Sequence, residues 1–256
     1  MVADVGFTDG VHGSDLIIGE GSIQKGDEPS IADSFVEFAI SQGALLFGQF
    51  FTKAGRNSPY FFNAGNFSDG RGARMLSEYY ARRLNEAMKY GLSSVSLFGP
   101  AYKGIPLVST LAVAYDQLYG ISFPFTFNRK EPKDHGERGE IVGAPISGRI
   151  LICDDVISAG TSVRESVDLI REAGAEPAGV LVSFDRMERG EGNLSAVQEV
   201  QYLYDIPVFS IATLADLVRY LERIVESGAK IAHYTKSNIT EFLNEIRSYR
   251  QKYGVD

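Results

Sequence analysis

A chain of 256 residues exceeds the ~150 typical of one domain but is close to the roughly 200 to 250 that a single α/β domain can reach. Hydrophobic residues make up 44% and charged residues 23%, ordinary globular proportions that exclude a wholly disordered, collagen-like or disulfide-framework protein. Lys and Arg number 25 against 33 Asp and Glu, a formal charge of -8; this argues against broad nucleic-acid binding, which needs clustered cations, and leaves room for a local basic patch that holds a small anion.

In chain order, residues 1–30 are rich in glycine and acids around one short apolar cluster, Leu16-Ile17-Ile18. Such a segment buries too little surface to offset the cost of ordering, so a disordered extension is expected. From Ile31 the pattern changes. Ile31, Phe35, Phe38 and Ala39 recur at helical spacing behind Ser30 and Asp33, and a second stripe from Met75 through Leu76, Tyr80, Leu84 and Met88 ends at Gly91. Strand and helix then alternate: a strand at Val95 to Phe98 and a helix near Ile105 to Leu118, a strand at Arg149 to Cys153 and a helix near Val163 to Ala173. Next come a strand at Ala178 to Phe184, a helix near Ala196 to Tyr204 opened by Ser195-x-x-Gln198, a strand at Val208 to Ile211 and a helix from Leu214 to about Val225. This alternation predicts a mostly parallel sheet covered on both faces. Residues 238–253 read as a charged terminal helix with Phe242, Leu243, Ile246 and Tyr249 on one side.

One stretch breaks the rhythm. Residues 128–148, NRKEPKDHGERGEIVGAPISG, are rich in charge, Gly and Pro, and a connection of that length inside a compact domain is usually a lid, a binding loop or slack. Cys153 is the only cysteine, so no intrachain disulfide or thiolate cluster can form, and a cytoplasmic, reducing home is expected. No run approaches the ~20 apolar residues of a membrane span, and residues 1–30 lack the basic and apolar regions of a secretory leader.

The most informative text is RILICDDVISAGTSVRESVDLI, residues 149–170. A buried strand ends in Asp154-Asp155 and turns through Val156-Ile157-Ser158-Ala159-Gly160 into a helix, with Ser162-x-x-Glu165 expected to form its capping box. Backbone N–H groups and the positive end of the helix would face an anion there, with Ser158, Thr161 and Ser162 as extra donors; a phosphate monoester fits. Two adjacent carboxylates repel unless they meet a cation or donor hydroxyls. A ribose whose 5-phosphate sits in the cradle would bring its 2- and 3-hydroxyls to them, with Mg²⁺ able to bridge what remains.

This string resembles the ribose-5-phosphate signature of type I phosphoribosyltransferases, which handle phosphoribosyl pyrophosphate (PRPP). Together with KAGRNSPYFFNAG at 53–65, FGPAYKGIPL at 98–107, FNRKEPKDHGERG at 127–139 and VSFDRMERG at 182–190, it is similar to orotate phosphoribosyltransferases from about Ile31 onward. The resemblance implies the type I fold, a mostly parallel central sheet flanked by helices, with a small hood at about 31–70 and a flexible catalytic loop at about 128–148. It implies transfer of the phosphoribosyl group from PRPP to orotate with Mg²⁺, giving orotidine 5′-monophosphate and pyrophosphate in pyrimidine synthesis, by a homodimer whose loop reaches the partner's site. Neither nucleic acid nor membrane is an expected partner.

Residue by residue, the resemblance assigns Asp154 and Asp155 to the ribose hydroxyls and the metal, directly or through water or substrate, and Val156, Ile157, Ser158, Ala159, Gly160, Thr161 and Ser162 to PRPP. It assigns Arg129, Lys130, Lys133 and His135 to the pyrophosphate, and Lys53, Tyr102 and Lys103 to further PRPP contacts. Phe61 and Phe62 match the orotate wall, Arg186 the reader of its carboxylate, and Ser158 also borders the base. Lys130, Lys103, Asp154 and Asp155 are the expected catalytic groups. Departures are few: Ser158 stands where Thr is usual, and Pro132 fixes a backbone angle where a small residue is usual. A PRPP-sensing regulator of the same fold would need a basic nucleic-acid face, which this acidic chain lacks.

Overall fold

The computed structural model describes residues 29–255 except Lys53, Ser94, 134–138, Ser158, Ala159 and Glu191, and except the side chains of 132, 133 and 139. The extension expected over the first 30 residues therefore lies almost wholly outside the described residues. Ser30 is described: its hydroxyl accepts from the Asp33 N–H at 3.1 Å and caps α1 (Ile31–Ser41). After α1 come strands β1 (Leu45–Phe51) and β2 (Asn57–Phe62), an antiparallel pair, and then the long helix α2 (Gly70–Lys89).

From there the chain builds the main sheet: β3 (Val95–Gly99), α3 (Gly104–Tyr119), β4 (Phe125–Lys133), β5 (Gly139–Gly143), β6 (Arg149–Cys153), α4 (Thr161–Glu172), β7 (Glu176–Asp185), α5 (Ala196–Tyr204), β8 (Val208–Thr213), α6 (Leu214–Ser227) and α7 (Lys236–Tyr253). The order across the sheet is β5-β4-β3-β6-β7-β8, with every neighbouring pair parallel except β4 with β5. This is the α/β architecture that the alternation predicts.

Side chains alternate between two cores because successive residues of a strand point to opposite faces. Leu97, Leu151, Cys153 and Leu181 meet Tyr80, Leu84, Leu111 and Tyr115 on one side. Phe98, Ile150, Ile152, Val180 and Val182 meet Val163, Val167, Ile170 and Val200 on the other. The central strands thus read as unbroken apolar runs, and burial of each large side chain stabilises by roughly 2 kcal/mol relative to exposure. Capping boxes open α5 at Ser195 and Gln198, as expected, and α6 at Thr213 and Asp216.

Two expectations need correction. Part of the segment expected to be a loop, 128–148, is strand: Phe127 pairs with Val142, Asn128 with Ile141 and Lys133 with Gly139, a hairpin arm with a register shift between Asn128 and Lys133. It forms the sheet edge, where charged residues and a proline replace the apolar alternation that announces a strand. The β1–β2 pair was not foreseen either, because LLFGQFF and NSPYFF are short apolar runs without a clear period.

Consecutive connections leave β3 and β6 in opposite directions: β3 leads to β4 on one side, and β6 to β7 on the other. The carboxyl ends of β3 and β6 therefore bound the crevice where open α/β sheets bind ligands. At the end of β3, Gly99 and Gly104 approach closely. A Cβ on Gly104 would lie 2.7 Å from the Gly99 carbonyl carbon and 2.9 Å from its Cα, closer than packed atoms tolerate. Gly104→Ala should cost about 2 kcal/mol through this overpacking, lowering Tm by roughly 5 °C for a chain of this size; calorimetry that finds Tm unchanged would contradict the close approach.

Candidate active site

At the end of β6 two carboxylates lie nearly out of water, Asp154 7% and Asp155 6% exposed. Their backbone is tied on every side. The Tyr80 hydroxyl donates to the Asp154 carbonyl at 2.7 Å. The Asp155 carbonyl accepts from both the Ser183 hydroxyl (2.6 Å) and the Ser183 N–H (2.9 Å). These bonds anchor the strand end to α2 and β7, so the acids cannot swing into solvent.

The side chains also have distinct partners. Asp154 accepts from the Asp155 N–H through Oδ1 (2.9 Å) and from the Ser162 hydroxyl through Oδ2 (2.9 Å). Asp155 Oδ2 meets Lys103 Nζ at 2.5 Å. Lys103 is 58% exposed, so this ion pair contributes less than about 1 kcal/mol to stability, and the ammonium can change partner when an anion arrives. Burial, reinforced by the neighbouring Asp155 charge, pushes the Asp154 carboxyl up to about 6.

Ser162 corrects a further expectation. Rather than opening a capping box with Glu165, its hydroxyl turns to Asp154; α4 begins at Thr161 behind Gly160, which sits at φ 71° and supplies no side-chain cap. The first N–H groups of α4 are thus left without a capping side chain beside the acid pair. An uncapped helix N-terminus favours an anion through its aligned peptide dipoles. Val156 and Ile157 pack inward against the two cores, so of the strand-to-helix turn they offer a ligand their backbone and not their side chains. Thr161 is exposed, while Ser158 and Ala159 lie outside the described residues.

Across the crevice, the turn after β3 carries Ala101, Tyr102 and Lys103, with a cis peptide between the first two. Asn128 Oδ1 accepts from the Ala101 N–H at 2.8 Å and ties this turn to the hairpin arm. Lys130 Nζ stands 5.4 Å from the centre of the exposed Tyr102 ring. A cavity of about 310 Å³ opens between the turn, Asn128, Arg129 and Lys130 of the arm, and Ser162 of α4. Of the residues expected as anion contacts, Arg129 and Lys130 line this cavity, whereas Lys103 joins the acids through its pairing with Asp155; Ser162, which borders the cavity and donates to Asp154, links the two groups. Lys53 and His135 lie outside the described residues, as does the side chain of Lys133.

The expected base-recognition residues divide. Phe61 is 40% exposed and stacks on Phe50 (centroids 5.4 Å), presenting an open apolar face. Phe62 turns into the core and stacks on Phe184 at 5.3 Å, so its ring is not an open wall: neighbours on a strand face opposite ways. Arg186, just past β7, is largely buried. Its guanidinium lies 4.4 Å from the centre of the Tyr60 ring, with Nη2 donating to Ser58 Oγ at 3.0 Å and Nε to Glu188 Oε1 at 2.9 Å. The sequence reading did not single out Asn128, Tyr80, Ser183 or Glu188. Asn128, Ser183 and Glu188 stand inside the quoted motifs, while Tyr80 looked like ordinary helix core.

Acid pair, uncapped helix start and cationic rim at the switch of a mostly parallel sheet define a phosphoribosyltransferase of the type I fold, and residues 64–214 match the model of the phosphoribosyl transferase domain. The chain is 53% identical over 221 residues to the orotate phosphoribosyltransferase of Thiobacillus denitrificans (86% of this chain, 97% of that one). It is 54% identical over 220 residues to that of Nitrosospira multiformis (86% and 90%). The crystal structure of the Francisella tularensis orotate phosphoribosyltransferase superposes with a TM-score of 0.73 at 35% identity, covering 87% of this chain and 100% of that one. The chain belongs to the orotate phosphoribosyltransferase family.

The raised Asp154 carboxyl makes a pH prediction. Folded Asp154 binds its proton up to about 6 while the unfolded side chain releases it near 3.9, so its contribution to stability is fully present at low pH and is lost as pH rises through about 6. Asp154→Asn, which stays neutral, should therefore melt at higher temperature than the parent at pH 7.5, with the difference shrinking toward pH 4. An equal difference at both pH values would refute the assignment.

Proposed function

We propose that this crevice transfers the 5-phosphoribosyl group of PRPP to orotate, forming orotidine 5′-monophosphate and pyrophosphate in pyrimidine nucleotide synthesis. The observation that carries the reading is the buried acid pair beside the uncapped start of α4. The 5-phosphate binds the N–H groups at that helix start together with Thr161, and the ribose hydroxyls meet Asp154 and Asp155. In the reaction the bond from the anomeric carbon to the pyrophosphate oxygen breaks and a bond to a ring nitrogen of orotate forms. Breaking leads, so positive charge develops on the ribose, as in glycoside hydrolysis.

Buried carboxylates near the ring favour that charge, and the leaving pyrophosphate takes the other share onto Lys103, Arg129 and Lys130. Lys103 gives up its pairing with Asp155 as the phosphates arrive. Among the described residues no cluster of three or more His, Cys, Asp or Glu could enclose a metal. Asp154 and Asp155 suit Mg²⁺ because it is commonly held by one or two carboxylates and completed by substrate oxygens and water. When bound it supplies neutralisation of pyrophosphate charge. Phe61 supplies a flat apolar face to the base, and Arg186 pairs with its carboxylate.

The hairpin arm closes over PRPP and excludes water, which would otherwise hydrolyse it. The same arm reaches a second subunit in a homodimer. Single cysteine content and the absence, among the described residues, of a helix long and apolar enough to cross a membrane support a cytoplasmic location.

Incubation with PRPP, Mg²⁺ and each of orotate, adenine, guanine and hypoxanthine should yield nucleotide from orotate alone; no product from orotate would refute the base assignment. Lys130→Ala should lower kcat by about a hundredfold, the effect of removing one charge-stabilising donor. Because Lys130 is exposed, its Tm should match the parent within about 1 °C. Unchanged turnover with a large fall in Tm would contradict the role.

A further inference from the structure

The turn that carries Arg186 is held from three directions. Within it, Asp185 Oδ1 accepts from the Met187 N–H at 2.8 Å, with Met187 in the left-handed region at φ 51°. From the far end of the chain, the Val255 N–H donates to the Met187 carbonyl and the Arg189 N–H donates to the Tyr253 carbonyl, both at 2.8 Å. Glu188 and Gly254 thereby form an antiparallel bridge. From the β1–β2 pair, Arg56 Nη2 donates to the Gly190 carbonyl at 3.3 Å.

At the centre of these contacts is the Glu188 carboxylate, 13% exposed. Its Oε1 accepts from Arg186 Nε at 2.9 Å and lies 2.6 Å from Arg186 Nη2; the Tyr60 hydroxyl donates to the same oxygen at 3.2 Å. Its Oε2 accepts from the Tyr249 hydroxyl of α7 at 3.0 Å and stands 3.6 Å from Arg56 Nη1. Burial pushes the Tyr60 and Tyr249 hydroxyls above their ordinary range, so both are neutral donors at working pH.

A free arginine side chain carries about 2 kcal/mol of rotamer entropy that a ligand would have to remove. Here Glu188 and Ser58 fix Nε and Nη2 and the Tyr60 ring fixes the plane, so the guanidinium is oriented in advance. Its Nη1 group takes no part in those contacts. Glu188 also supplies the counter-charge without which a largely buried guanidinium would be costly.

We propose that Glu188 is a positioning residue for Arg186, and that Tyr249 and the bridge just beyond α7 hold Glu188 in turn, so that the C-terminal helix sets the affinity for the carboxylate of the base. The proposal rests on the reading of Arg186 as the contact to that carboxylate. A merely structural Glu188 would disturb both substrates alike; a positioning Glu188 separates them.

Steady-state kinetics of Glu188→Gln, Tyr249→Phe and Arg186→Ala, singly and combined, test it. Glu188→Gln should raise KM for orotate about tenfold, the loss of one charge-assisted interaction, and leave KM for PRPP within about twofold. Tyr249→Phe should raise KM for orotate about threefold with the same selectivity, and it carries the test alone if Glu188→Gln fails to fold. Both effects should vanish in the Arg186→Ala background, because the two residues act through Arg186. Equal rises for both substrates, or effects that persist without Arg186, would overturn the proposal. If Arg186→Ala raises KM for orotate and neither other variant does, positioning alone is wrong. If Arg186→Ala leaves that KM unchanged, the reading of Arg186 fails and the proposal falls with it.

Discussion

Two adjacent carboxylates held out of water repel each other, and their position is stable only because the protein ties down everything around them. Tyr80 and Ser183 fix the carbonyls of Asp154 and Asp155, Ser162 occupies one side chain and Lys103 the other. The cost of burial is visible in the Asp154 carboxyl, pushed up to about 6. Natural sequences keep such strain where function requires it. Most of the remaining architecture follows as support: β6 must be central so that its end is buried, α4 must start beside it, and α2 must bring Tyr80 beneath it.

What could be read from the residues divides along a physical line. The central strands β3, β6 and β7 are covered on both faces, so RILIC and its counterparts announce themselves as apolar runs of strand length. Helices α2, α5 and α6 show apolar stripes with caps or stops at Asp69, Ser195 and Thr213. The β4–β5 arm touches the cores only through residues such as Phe125 and Ile141; from Asn128 to Lys133 it is charged and carries no such signature. For the same reason the text NRKEPK reads as loop although its backbone pairs as strand.

Within the site, the acids and the rim cations were legible as residue types in a motif, but the partners that orient them were not. Nothing local tells that Ser162 will turn from capping its helix to Asp154, or that Tyr80, 74 positions upstream of Asp154, will reach its carbonyl. Phe61 and Phe62 look equivalent in sequence; only the pairing of β2 with β1 decides which ring stays exposed and which turns to the core. Glu188 stood in a quoted motif with no role, because its partners include Tyr60, 128 positions away, and Tyr249, 61 positions away.

The net charge of -8 sets a further constraint, because both proposed substrates are anions. Exposed charges are screened beyond about 8 Å at physiological salt, so the acidic surface as a whole imposes little penalty on an anion already in the crevice. The cations are local: Arg129 and Lys130 line the cavity that Ser162 of α4 also borders, Lys103 pairs with Asp155, and Arg186 is set apart near the β1–β2 pair. The two cationic groups are built differently. Lys103 and Lys130 are exposed, which fits the proposed role of meeting a leaving group that departs. Arg186 is buried and pinned, which fits the proposed role of orienting a planar base.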